Sequence, residues 1–218
     1  MAKVAGILSN DQQVNKNNVS DTGILSKKDP TNSLYYEYEE SNDSRVPIET
    51  QERIKSHESK GGNPEYMPYQ LKYKDKKENF FTVGHGHRIY GIENNPNEIN
   101  RVYSDEEIET LFKQDLNIAA DRVDKLVDRN KIDPTAYGIL VEMAYQMGSN
   151  IEEGTGLAGF KKTLDAVNKG NYKEASNQML WNYKDGKKTK TKWYNQTEKR
   201  AETLSDLMAN INKYYIDI

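Results

Sequence analysis

The sequence predicts an α+β fold, with a small antiparallel sheet lobe ahead of a larger helical lobe. Three observations lead there. The runs YQLKYKD and ENFFTVGHGHRIYGI are rich in Tyr, Phe, Val and Thr and are broken by glycines and charged turns, as short strands are. From Ser104 onward, apolar residues recur at helical spacing, beginning with Ile108, Leu111, Phe112, Leu116 and Ala119. The first 46 or so residues show neither pattern. They are rich in Asn, Ser, Asp and Gln and predict an extended arm.

Within that arm the tetrapeptide GILS occurs twice, at Gly6–Ser9 and Gly23–Ser26. So short a repeat can arise by chance; the other reading is a pair of apolar anchors that dock on a partner. The folded domain then runs over residues 47–218. PIETQERIKSHES predicts a helix with proline in its first turn and with Ile48 and Ile54 on one face, ended by KGGNP. The sheet follows. Ser104 with Glu107 three residues on is a capping box that opens a long helix. Further helices are expected in PTAYGILVEMAYQMG, GLAGFKKTLDAVNKG, YKEASNQMLW and NQTEKRAETLSDLMANINKYY, punctuated by Gly148, Gly159 and Gly170. Met143 and Met147 are expected in the core, and Trp181 and Trp193 in the core or on a rim. A cleft between two such lobes is a natural ligand site.

Composition narrows the function. The 218 residues suit one substantial domain or two small ones. There is no cysteine, which excludes disulfides and cysteine-ligated zinc. A formal net charge of −3 carries no overall nucleic-acid signature. One stretch departs from that balance. Lys184 to Arg200 holds Lys184, Lys187, Lys188, Lys190, Lys192, Lys199 and Arg200 against Asp185 and Glu198. It reads as a solvated loop or as a surface that draws an acidic polymer. No apolar run approaches the roughly 20 residues that span a bilayer, so no membrane segment is expected. MAKVAGILSNDQQ lacks the apolar core of a signal peptide; for action outside the cytoplasm, something else would have to deliver the chain.

Two chemistries compete. His57, His85 and His87, with Asp75, invite the reading of a zinc-dependent amidase or peptidase, although no H-E-x-x-H is present. Glu58, Asp75 and Thr82 are instead the groups an inverting glycosidase needs: an acid for the leaving oxygen, a carboxylate to activate water, and a hydroxyl to hold that water. Their spacing alone is a weak signal, and Glu65 is a rival acid.

The order HES, YKD, FFTVGHGH resembles the start of the phage-type lysozymes, glycoside hydrolase family 24, with Glu at a helix end, Asp in a turn, then T-[IV]-G-x-G-H. SDEEIETLFKQDL, YQMG, TGLAGF and KWYNQTEKRA are similar to later segments of the family, the last two to its T-even branch. The likeness covers residues 47–208. It implies a two-lobe lysozyme fold and a muramidase that cuts bacterial peptidoglycan between N-acetylmuramic acid and N-acetylglucosamine, with no cofactor and no metal. By the same resemblance Glu58 is the proton donor, Asp75 assists the attacking water and Thr82 positions it. Tyr145 and Gln146 match cleft-wall positions, and Arg88, Thr163 and Gln178 match sugar contacts. Arg200 matches an arginine that reaches the catalytic glutamate, and His87 a histidine paired with an aspartate, here Asp115.

The chain departs from that pattern in several places. The Glu58-to-Asp75 and Asp75-to-Thr82 intervals are longer, the glycine expected after the acid is Ser59, and SNIEEG and the lysine-rich stretch are insertions. His85 has no counterpart and is expected near the surface. An arginine beside a proton donor also poses a conflict, since it favours the carboxylate; burial would have to oppose it. The biological setting reads as an endolysin released through a holin, or as a lysozyme carried in a phage tail, baseplate or injection device through the arm. A non-catalytic component of such a device is the alternative, against which the retention of Glu58, Asp75 and Thr82 argues.

Overall fold

A computed structural model describes residues 45–59, 62–71, 80–92 and 96–211. Residues 1–44 of the expected 1–46 arm and the expected catalytic Asp75 lie outside the described residues.

Arg45 and Val46, the first described residues, pack against the helical lobe. Val46 is buried, and Arg45 Nη1 donates to Asp121 Oδ1 at 2.8 Å and to Asp124 Oδ2 at 3.0 Å. Helix α1 spans Ile48–Glu58 and ends where Ser59 turns extended, at φ −127° and ψ 152°. Its buried pair is Thr50 and Ile54, four residues apart and so on one face. Ile48 is 60% exposed. The expectation that it shares the face of Ile54 fails, because six positions carry a side chain about 240° around a helix.

Strands β1 (Glu65–Leu71), β2 (Phe80–Gly84) and β3 (His87–Ile89) form one antiparallel sheet in that order. Tyr69 stands opposite Thr82, and Thr82 opposite Arg88. Val83, Ile89, Ile92, Tyr103 and Ile108 make the small core under this sheet. After the short helix α2 (Pro96–Ile99), the capping box forms as expected: Glu107 N–H donates to Ser104 Oγ, and Ser104 N–H to Glu107 Oε2. It opens α3 (Asp105–Asp124). At 20 residues α3 is about 30 Å long, enough to serve both lobes. Its first turn gives Ile108 to the small core; Phe112, Leu116, Ala119, Ala120 and Val123 go to the large one.

Helix α4 (Pro134–Met147) runs through the centre of the helical lobe, capped by Asp133 and buried from Ala136 to Ala144. Gly138 on α4 lets α1 come close, since a Cβ there would lie 2.2 Å from Thr50 Oγ1. The insertion after α4 is a short antiparallel pair, β4 (Ser149–Asn150) with β5 (Thr155–Gly156). Helices α5 (Lys161–Asn168) and α6 (Tyr172–Leu180) follow.

Two expectations are corrected here. The lysine-rich stretch is not all loop: β6 (Trp181–Lys184) and β7 (Lys187–Lys190) form a hairpin, with Trp181 at its start rather than at a helix end. The turn is Asp185-Gly186, both at positive φ (51° and 72°), as a tight hairpin of the twist-matched type requires. The final helix is also two. Helix α7 (Lys192–Thr197) and helix α8 (Lys199–Asn210) are separated by Glu198, whose φ of 37° no α-helix continues through.

Candidate active site

Glu58 is the last residue of α1, at the edge of the small lobe. Its Oε1 accepts from Arg200 Nη1 at 2.6 Å, and its Oε2 faces the β2–β3 turn, 3.9 Å from where a Cβ on Gly86 would lie. Arg200 comes from the first turn of α8, so the contact joins the two ends of the folded chain. The Glu58 side chain is 22% exposed, open enough for a substrate oxygen to approach. The rival Glu65 is exposed at the start of β1, opposite Gly84. The arginine contact thus falls on the expected acid.

Thr82 is buried at the centre of β2, and its Oγ1 has no hydrogen-bond partner among the described residues. Arg88, opposite Thr82 on β3, lies exposed with its guanidinium 4.6 Å from the centre of the Tyr90 ring.

The three histidines weighed for zinc go to three different partners. His57 Nδ1 donates to Glu142 Oε1 at 2.7 Å, and His87 Nδ1 to Asp115 Oδ2 at 3.0 Å, the brace expected for His87. His85 Nδ1 shares a 2.6 Å hydrogen bond with Ser59 Oγ. No group of three metal-ligating side chains comes together among the described residues. His85 is also not at the surface: it is 6% exposed, edge-on to Phe112, with ring centres 5.3 Å apart. Burial, then the nearby Lys55, lowers its proton affinity below the ordinary histidine range.

Tyr145 and Gln146 close α4 beneath the turn. Tyr145 O–H donates to the His85 carbonyl at 3.0 Å, and burial raises the phenol well above its ordinary range. Gln146 Oε1 accepts from Trp193 Nε1 at 2.8 Å. Trp193 stands edge-on to Phe160, and both line a cavity of about 600 Å³ in the helical lobe. Thr163 and Gln178 line the same cavity, so the structure brings these two expected contacts together. Thr163 Oγ1 is a second buried hydroxyl without a partner among the described residues. Lys161, Lys162 and Lys192 also line this cavity, and among the described residues no carboxylate does.

Sequence reasoning missed one central residue. Glu142, on α4, is fully buried and accepts from Arg53 Nε at 2.6 Å, Arg200 Nε at 3.0 Å and His57. The signal was available: GILVEMAY places one glutamate inside an apolar run, and a buried carboxylate needs partners.

Two cores joined by one long helix, with a carboxyl group held by an arginine at the lobe edge, define a lysozyme-type glycoside hydrolase. The phage lysozyme family model matches residues 68–202, more than half of the chain, and the chain belongs to that family. That span includes Thr82 and Arg200 and begins after Glu58. Among solved structures, the chain is similar to the muramidase domain of SpmX from Asticaccaulis excentricus, with 19% identity and a TM-score of 0.51, covering 75% of this chain and 96% of that one. At that identity the likeness concerns the fold. No curated protein matches the chain. The family and fold together support a muramidase acting on peptidoglycan.

Proposed function

We propose that the chain cleaves the β-1,4 bond between N-acetylmuramic acid and N-acetylglucosamine in one displacement with inversion. The observation that carries this is the pairing of Glu58 with Arg200 at the lobe edge. In this reading Glu58 gives its proton to the leaving oxygen, Asp75 activates water on the opposite face, and the buried Thr82 hydroxyl holds that water. Inversion requires the two carboxyl groups to stand roughly 6.5–9.5 Å apart. The cavity with Thr163 and Gln178 takes more of the wall polymer, and its lysines suit the carboxylates of the cross-linking peptides. The arm over residues 1–46 attaches the enzyme to a phage tail or injection device.

The test uses purified cell-wall sacculi. Glu58→Gln should cut the release of reducing ends by at least about a hundredfold, the lower range for loss of a general acid. Proton NMR of the first product should show the α-anomer. Unchanged release would end the catalytic reading, and a β-anomer would point to retention. Mass spectrometry of phage particles tests the setting: a free endolysin would be absent from them.

A further inference from the structure

The conflict between a proton donor and its neighbouring arginine has a structural answer in Glu142. Arg200 touches Glu58 with one N–H only, from Nη1. Its Nε is held by Glu142, and its Nη2 is buried without a partner among the described residues. The guanidinium therefore meets Glu58 end-on and not as the two-pronged fork that arginine prefers with carboxylates. Glu142 also holds Arg53 and His57, and His57 directly precedes Glu58 on α1. The buried carboxylate is thus the hub of a chain running Arg53, Glu142, Arg200, Glu58.

We propose that Glu142 is a positioning residue that keeps Glu58 able to hold its proton, by neutralising Arg200 and turning its second prong away. This rests on the muramidase reading and adds the regulation of its acid. Arg53 and Arg200 bring two positive charges against one from Glu142. A Gln at 142 would leave Arg200 without its buried counter-charge and would hold its Nε only by a weaker neutral acceptor, so the guanidinium could swing toward a fork on Glu58. The carboxylate would then win over the acid, and the leaving oxygen would lose its proton source. Around Glu58 stand Arg200 on α8, bonded to it, and Tyr145 on α4, which responds electrostatically to Glu58, Asp115 and Arg200 alike; Arg53 and His57 on α1 reach this cluster through Glu142, and His85 in the β2–β3 turn through Ser59.

The experiment is an NMR titration of the Glu58 side-chain carbon in the full-length chain, beside the pH profile of kcat/KM on sacculi. Glu142→Gln should move the Glu58 titration, and the alkaline limb with it, about one pH unit lower, a tenfold loss of the protonated form at a given pH. Glu142→Asp, which keeps the charge, should restore most of the shift. A titration and limb that stay in place while kcat falls would make Glu142 merely structural and overturn the proposal. Should Glu142→Gln fail to fold, Arg53→Gln decides: it removes one cation from the hub, so the titration must move to higher pH, and no movement overturns the proposal. Wild-type chain that releases no reducing ends would sink the muramidase reading alone, because the NMR titration needs no turnover.

Discussion

Ser59 stands where the family pattern has glycine, yet its φ of −127° is extended backbone that any residue adopts. The hydroxyl is bonded to His85, the histidine without a family counterpart. Two departures that looked unrelated in the sequence are therefore one contact, which ties the end of α1, and so Glu58, to the β2–β3 turn. Ser59→Gly should cost about 0.5–1.5 kcal/mol in chemical denaturation, the net worth of such a bond. His85 also gives the fold a pH dependence. Burial holds its folded proton affinity below the unfolded value of 6.5. Between those two values the unfolded chain binds more protons, so the stability His85 contributes is complete above about pH 6.5 and declines as pH falls below it. His85→Asn should flatten that acid-side decline in denaturation series run at several pH values; an unchanged slope would assign the decline to other groups.

At the scale of elements, the site depends on how closely α1 approaches α4. Glu58 and Glu142 sit on these two helices, and Gly138 sets their separation at Thr50. Gly138→Ala improves helix propensity but forces a methyl into the Thr50 hydroxyl, and overpacking of that kind costs about 1–3 kcal/mol. For a domain of this size the melting temperature should fall by roughly 2–4 °C per kcal/mol. Activity on sacculi should fall further than the melting temperature explains, because Glu58 moves with α1. A stabilised variant with full activity would show that the helices can part without cost. The hairpin teaches a different lesson. The lysines of this stretch resembled a solvated loop; cross-strand pairing of Tyr183 with Lys188 and Trp181 with Lys190, with Lys188 over the Trp181 and Tyr183 rings and Lys190 over the Tyr194 ring, gives those residues a strand to belong to.

At the scale of the whole molecule, both cores and the Glu58–Arg200–Glu142 cluster fall within residues 45–211. Arg45, the first described residue, is bound to Asp121 and Asp124 at the end of α3. A chain lacking residues 1–44 should keep its melting temperature within about 2 °C and its release of reducing ends from sacculi, while losing attachment to any particle; calorimetry and a sacculus assay check the first two. The sequence by itself determined the two-lobe α+β order, the capped long helix and the pairing of His87 with Asp115. It could do so because helical period, capping residues and a glycine-rich strand motif are local signals, and the run HES to WYNQT preserves a family order. Only the tertiary structure decided that Glu142 is the hub beneath the acid, that His85 is buried against Ser59 and that Glu65 stays in solvent. Those facts depend on which distant side chains share one dry interior, where an unpaired charge is costly and a partner 58 residues away along the chain, as Arg200 is to Glu142, settles what a residue can do.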